Sequence, residues 1–154
     1  MNKLGMPEYL FEEMEKELVK LKLNSLNEYF TFNCENIDFE YLKALNHFLF
    51  IDLYKDEYVQ PRKLDEEEIR LMNVSLSSVA NSAIDLDYTA IFKELVQIWQ
   101  MQPFKVGNTR TLVGYLIVID KLYGLQLNIT PVERDIQSGI SIFEDLCGLK
   151  RKHK

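Results

Sequence analysis

The sequence predicts a single all-α domain, and three observations favour this fold class. Apolar residues recur at intervals of three and four along most of the chain, which is the period of a helix that buries one face. Residues that favour helix starts and helix ends separate these stretches. Strand signals are confined to two short stretches, residues 125–129 and the surroundings of Val59.

Length and composition limit the class of protein. The 154 residues suffice for one domain with a substantial core and are too few for two comfortable ones. A net charge of −6 argues against a nucleic-acid or anionic-membrane partner, which needs a basic surface. Residues 150–154 are basic, and we interpret them as favourable charge at a helix C-terminus. Two cysteines and no apolar leader predict a soluble cytoplasmic protein.

The first third of the chain reads as two long helices. Pro7 suits a first helical turn, and an apolar repeat follows it at Leu10, Met14, Leu18 and Leu21. Asn36 can cap the second helix, whose apolar face carries Phe39, Leu42, Leu45, Leu49 and Leu53. Residues 54–63 break the pattern around Pro61, so we expect a loop there, with at most a short hairpin or flap near residues 55–63.

Clear boundary signals mark the later helices. Asp65 with Glu68 has capping-box spacing, and Asp87 can cap the next helix. A further helix starts at Asn108 and is closed by Gly124. A last helix is expected from a capping box with a proline in its first turn, towards Leu146; these starting residues are Thr130, Pro131 and Glu133.

The stretch QPFKVGNTRT, residues 102–111, stands between two of these helices and has the composition of an anion-binding loop. Gly107 lets backbone N–H groups approach an anion, and Asn108 can cap the new helix or donate to a phosphate. Arg110 can supply a fork of charge-assisted hydrogen bonds. An anion site and a plain turn with a helix cap both fit these residues, which by themselves leave the choice open.

The same stretch resembles the loop of the Fic (Fido-fold) family, written HPFx(D/E)GN(G/K)RxxR. The matching residues are Pro103, Phe104, Gly107, Asn108 and Arg110. The resemblance extends to NKLG at residues 2–5, to DFEYLKALNHFLFIDLY at residues 38–54, and to Trp99 before the loop. It implies one Fic-type helical domain over residues 1–154, similar to cell filamentation proteins. Members of the family mostly transfer AMP from ATP to hydroxyl groups of target proteins.

The resemblance also assigns roles, and several of them lack the usual residue. It implies a nucleotide- or phosphate-binding role for Gly107, Asn108, Thr109 and Arg110, and a structural role for Pro103 and Phe104. Gln102 replaces the histidine base, and an amide has no useful pKa near neutrality. Val106 replaces the acid that holds Mg²⁺, and Val113 replaces the arginine on the terminal phosphate. Thr109 stands where Gly or Lys is usual. Standard AMP transfer and the usual Mg²⁺ binding are therefore not expected.

Two further family features are altered in this chain. The Trp-Ala-Gly signature before the target-binding flap is missing, although Tyr58, Val59 and Gln60 could form a shortened flap edge. Residues 31–36, TFNCEN, fit the loose inhibitory pattern (S/T)xxxE(G/N) through Thr31, Glu35 and Asn36. Because the arginine that should pair with Glu35 is replaced by Val113, we interpret these residues as a turn with a helix cap.

Three hypotheses about function follow. The first is a degenerate or regulatory Fic-like protein that binds ATP or another nucleotide weakly and acts on a protein target or an antitoxin-like partner. The second is a divergent nucleotidyltransferase whose base comes from elsewhere, with Glu57 or the acidic residues 65–68 as candidates. The third is a non-catalytic interaction module in which the loop is only a turn. The histidine and cysteine spacings indicate no metal site.

Overall fold

The computed structural model describes residues 2–26 and 38–125, and helices dominate both ranges. The helices are α1 (Glu8–Asn24), α2 (Phe39–Phe50), α3 (Glu66–Ile84), α4 (Tyr88–Met101) and α5 (Asn108–Tyr123). Within these ranges the predicted all-α class is confirmed. None of the described helices is both long enough and apolar enough to cross a membrane.

Helix α1 forms as predicted, but the apolar repeat that predicts it is not its buried face. Its buried residues are Phe11, Val19 and Leu23. Leu10, Met14 and Leu21 are 44%, 42% and 62% exposed. The sequence of α1 carries apolar residues on two faces, and the face that contains Phe11 is the one that packs. The Phe11 ring meets the Tyr54 ring edge-on, with centroids 5.3 Å apart.

Helix α2 begins with a cap that differs from the predicted one. The cap is Asp38, whose carboxylate accepts a hydrogen bond from the Tyr41 N–H at 3.2 Å. The prediction of Asn36 as the cap is therefore wrong, because an aspartate lies one residue before the helix and is the nearer acceptor. The helix ends at Phe50, and Leu53 is buried in the turn that follows.

The local boundary signals of α3, α4 and α5 are confirmed. Both bonds of the capping box between Asp65 and Glu68 are present. The Asp87 carboxylate accepts from the Ala90 N–H at 3.2 Å. Gly124 closes α5 in the left-handed conformation, with φ of 61°, and its N–H donates to the Asp120 carbonyl at 2.8 Å. These caps fix both the start of α4 and the end of α5, the two helices that flank the loop.

Helix α5 has more buried residues than any other helix of the described ranges. Eight of its residues are buried, among them Tyr115 and Val118. Gly114 lets α1 and α2 approach it closely, because a Cβ there would lie 3.2 Å from a Leu23 methyl carbon and 3.4 Å from one of Leu45. The loop that precedes α5 lies against α2, where Gly107 meets the Phe50 ring.

The segment between α2 and α3 forms a loop, as predicted. Residues 56–58 form a single 3₁₀ turn, and no hairpin forms within residues 55–63. Instead, Pro61 makes an isolated antiparallel bridge with Phe104 in the loop between α4 and α5. Residues 31–36, which we interpret as a turn, the predicted last helix from Thr130 and the basic residues 150–154 lie outside the described residues.

Candidate functional site

Residues 102–107 join α4 to α5 and are paired on one side with the predicted flap. The Arg62 N–H donates to the Pro103 carbonyl at 2.8 Å, and the Lys105 N–H donates to the Gln60 carbonyl at 3.3 Å. Of the predicted flap residues, Val59 is buried, Tyr58 is half-buried and Gln60 is exposed. Part of the backbone of this flap edge therefore contacts the protein's own loop.

Gln102, at the position of the family's histidine, has a strained backbone. Its φ of 47° and ψ of 61° place it in the left-handed region, which costs a non-glycine residue roughly 1–2 kcal/mol. The exposed side chain folds back, since its Nε2 donates to the Trp99 carbonyl at 2.7 Å. Its Oε1 accepts a hydrogen bond from Asn108 at 3.2 Å. The amide is thus held at the first residue of the loop. There it can orient a hydroxyl group but cannot take up its proton.

Asn108 closes the loop on itself. Its Oδ1 accepts from the Phe104 N–H at 2.8 Å, and its Nδ2 donates to the Phe104 carbonyl at 2.9 Å. The side chain does not cap α5, whose N-cap is Gly107 with no side-chain hydrogen bond. The predicted cap role of Asn108 is therefore wrong, because its amide is committed to the loop. Pro103 and Phe104 are buried, and the Phe104 ring stacks on Phe39 with centroids 6.1 Å apart.

Gly107 is required at the turn into α5. Its φ is 73°, and a Cβ built on it would overlap the Phe50 ring. The first intrahelical bond of α5 runs from the Thr111 N–H to the Gly107 carbonyl at 2.9 Å. The N–H groups of Asn108, Thr109 and Arg110 precede that bond and have no partner within the helix. They belong to half-buried residues, and the positive end of the helix dipole lies at the same place.

Asn46 of α2 supports the loop from below, a role that our sequence interpretation missed. It is 1% exposed, and its Nδ2 donates to the Val106 carbonyl at 2.9 Å and to Thr111 Oγ1 at 3.0 Å. The sequence signal that could have indicated this role is a polar residue between the apolar positions Leu45 and Leu49. A buried amide needs hydrogen-bond partners, and here those partners lie 60 and 65 residues away.

Thr109 is engaged with α4. Its hydroxyl oxygen accepts a hydrogen bond from the indole N–H of Trp99 at 2.7 Å. Trp99 is the single tryptophan of the chain. The hydroxyl of Thr109 is therefore turned towards α4, while its backbone N–H remains part of the helix start.

Arg110 forms a shielded ion pair instead of pointing at an open anion site. Its Nη2 lies 2.7 Å from Glu15 Oε1 of α1, and the two side chains are only 15% and 13% exposed. The guanidinium carbon lies 4.9 Å from the centre of the Phe50 ring. The Tyr54 hydroxyl donates to the other oxygen of Glu15. Burial raises the pKa of Tyr54, and the hydrogen bond to Glu15 raises it further. The phenol therefore remains a neutral donor.

The two remaining family positions offer no ligand. Val113 is buried and Val106 is half-buried, and neither side chain has an oxygen for a cation or a charge for a phosphate. The residues around the loop therefore do not fit the Mg²⁺ ion of the family. In the described ranges, no group of three or more His, Cys, Asp or Glu side chains could hold a metal ion. The arrangement can bind an anion through backbone N–H groups and lacks a proton acceptor at Gln102.

We predict that Gly107→Ala destabilises the protein by about 3 kcal/mol, because the methyl group overlaps the Phe50 ring and the left-handed backbone becomes strained. Gly124→Ala is the matched control. Gly124 has a similar φ of 61° but no heavy atom within 4 Å of the added Cβ, so its cost should be about 1 kcal/mol. Urea unfolding measures both. Equal losses for the two variants would contradict the close contact between Gly107 and Phe50.

We predict that Glu15→Gln lowers the free energy of unfolding by about 3 kcal/mol, since it leaves the shielded Arg110 guanidinium without its charged partner. Glu67→Gln is the control, because it breaks the pair with Arg70, whose side chains are 63% and 60% exposed. Its effect should be much smaller, since exposed pairs contribute little. A Glu15→Gln variant as stable as Glu67→Gln would show that the Arg110 pair does not anchor α1.

Comparison with known proteins adds no family assignment. No family model matches the sequence, and no curated protein matches it. The resemblance to the Fic family therefore rests on the residues of the loop and of the segments quoted with it.

Proposed function

We propose that this protein is a Fic-like domain that has lost standard AMP transfer and acts by binding. In this proposal the start of α5 is a low-affinity site for a phosphate group, most simply that of a nucleotide. The observation that carries it is the first turn of α5, where Gly107 is the N-cap, no side chain caps the helix, and the loop is held in shape around three N–H groups.

Support for the loss of catalysis comes from Gln102. Removal of a general base typically costs about 10²–10⁴ in rate, and the amide of Gln102 is already bonded to Trp99 and Asn108. Among the acidic residues 65–68, Glu68 has little support as a replacement base, because it lies 2.6 Å from Arg62. That bond holds the pKa of Glu68 below its usual value, which makes it a poorer proton acceptor. The alternative of a divergent nucleotidyltransferase would thus depend on a base other than Glu68.

Support for low affinity comes from Arg110. A phosphate at the start of α5 would be held by N–H groups and the helix dipole, while the guanidinium of Arg110 is neutralised by Glu15. For a phosphate held in this way we expect a dissociation constant on the order of 1 mM, a binding free energy of roughly −4 kcal/mol. Discrimination between mono-, di- and triphosphates should be slight, since Val113 offers no charge to a terminal phosphate.

A second candidate function is a protein-interaction module without any ligand on the loop, which could serve a regulatory or antitoxin-like role. The observation that favours it is the same Arg110–Glu15 pair, together with the self-contained hydrogen bonds of Asn108. In this candidate the loop is a rigid connection between α4 and α5. The two candidates differ in whether the first N–H groups of α5 donate hydrogen bonds to a bound anion.

The binding proposal predicts that ATP, ADP, AMP and inorganic phosphate shift the amide NMR resonances of residues 107–110, with dissociation constants on the order of 1 mM and no requirement for Mg²⁺. Thr109→Asp should abolish these shifts and stabilise the protein, because it places a tethered carboxylate at the helix start. Thr109→Asn is the isosteric neutral control and should still bind. If the wild-type resonances do not move at 10 mM phosphate (about ten times that constant), only the interaction module remains.

We further predict that Gln102→His does not restore AMP transfer, because Val106 and Val113 still offer no ligand to magnesium or to a terminal phosphate. The measurement is labelling of proteins in a cell lysate by ATP carrying a label on the α-phosphate. Wild type and Gln102→Ala are the comparison variants. Labelling that appears only with Gln102→His would show that the histidine is the one decisive loss.

A further inference from the structure

We infer that Arg62 is a positioning residue for the loop between α4 and α5 and acts on it through Gln102. The inference deepens the proposed function, since it names the residue that sets the geometry of the proposed binding loop. The inference rests on the proposed function only for the statement that this loop binds a ligand. Arg62 lies outside the loop and before α3, in a stretch that carries no recognisable sequence motif.

Arg62 contacts three successive carbonyl groups at the point where α4 ends. Its Nη2 donates to the Met101 carbonyl at 2.9 Å, and its Nε lies 3.0 Å from the Gln102 carbonyl. Its backbone N–H donates to the Pro103 carbonyl at 2.8 Å. The last carbonyl groups of a helix have no partner within the helix, and a cation is favoured at that end of the helix dipole.

The strained residue lies at the centre of these contacts. Gln102 has a positive φ without being glycine, and such a backbone persists only where its surroundings determine it. Its own side chain bonds to Trp99 and Asn108, so the backbone conformation of Gln102 decides whether its amide reaches Asn108. Asn108 in turn holds Phe104. A change at Arg62 is therefore expected to reach the start of α5 through two hydrogen-bonded residues.

The other side of the Arg62 fork is fixed as well. Its Nη2 donates to Glu68 Oε2 at 2.6 Å, and Glu68 Oε1 accepts from the Asp65 N–H in the capping box of α3. One guanidinium thus connects the end of α4 to the start of α3. A lysine would keep the positive charge but could not reach both carbonyl groups and the carboxylate with a planar fork.

The experiment compares Arg62→Ala and Arg62→Lys with Arg70→Ala in the full chain. Arg70 is the matched control, because it also pairs with a glutamate near the start of α3, at 2.6 Å, and its Nε and Nη2 both donate to that glutamate, Glu67. Amide NMR spectra report the loop conformation, and titration with inorganic phosphate reports the site. Arg62→Ala should shift the resonances of residues 102–108 and weaken phosphate binding about fivefold, a loss of roughly 1 kcal/mol. Arg62→Lys should shift the same resonances less, and Arg70→Ala should leave them unchanged.

A second set of variants separates positioning from general support of the fold. In a Gln102→Gly background the backbone adopts a positive φ without strain, so Arg62→Ala should shift the resonances of residues 103–108 less than in the wild-type background. An equal shift in the two backgrounds would overturn the inference, as would loop resonances in Arg62→Ala or Arg62→Lys that match wild type. Should Arg62→Ala fail to fold, Arg62→Lys in both backgrounds gives the same comparison.

The test also keeps this inference apart from the proposed function. If the wild-type protein binds no phosphate, the proposed function fails, while the loop resonances still decide the role of Arg62. If phosphate binds and the Arg62 variants keep wild-type loop resonances, the positioning role fails and the binding proposal stands.

Discussion

The shielded ion pair between Glu15 and Arg110 is the interaction on which the arrangement around the loop depends. It joins the middle of α1 to the first turn of α5, and its charges lie against the Phe50 ring and the Tyr54 hydroxyl. Removing two charges from water is costly, and the pair is tolerable because its hydrogen bonds and the aromatic face replace the lost solvent. The same pair places α1 beside the loop and withdraws the guanidinium from any external anion.

The loop retains its shape through contacts that have nothing to do with a substrate. Asn46 holds it from α2, Asn108 ties its two ends together, and Arg62 holds its beginning. Asn46 and Asn108 satisfy polar groups of the loop that are partly buried, and a stable irregular backbone needs such partners. The contact of Arg62 with the Gln102 carbonyl is exposed. The binding proposal concerns the N–H groups at the start of α5, which these side chains do not contact.

The chemistry open to such a loop is narrower than its resemblance to the Fic family would suggest. Against the Fic loop that the sequence resembles, Gln102 stands in place of the base, and Val106 and Val113 stand in place of a metal ligand and a phosphate-binding arginine. Each replacement removes a charge or a titratable group, whereas the residues that shape the backbone are kept. This distribution is why we favour a binding protein over an enzyme: the geometry for an anion is retained while the groups that move protons and balance a triphosphate are replaced.

The sequence by itself determined the helical class and the helix boundaries that rest on local bonds. The capping box of Asp65 and Glu68, the Asp87 cap and the Gly124 terminus were predictable, because each partner lies within four residues. The residues matching the family loop could be named in the same way. Only the tertiary structure decided the buried face of α1, since apolar side chains lie on two of its faces.

The partners of Arg110 and Arg62 were likewise decided by the tertiary structure. Helix α1 carries several glutamates of equal local character, and only the packing of α1 on α5 selects Glu15. Arg62 finds Met101 and Gln102 about forty residues away, a distance over which no local pattern operates. Short-range hydrogen bonds can be predicted from neighbouring residues in the sequence. Long-range charge pairing depends on which surfaces meet when the helices pack.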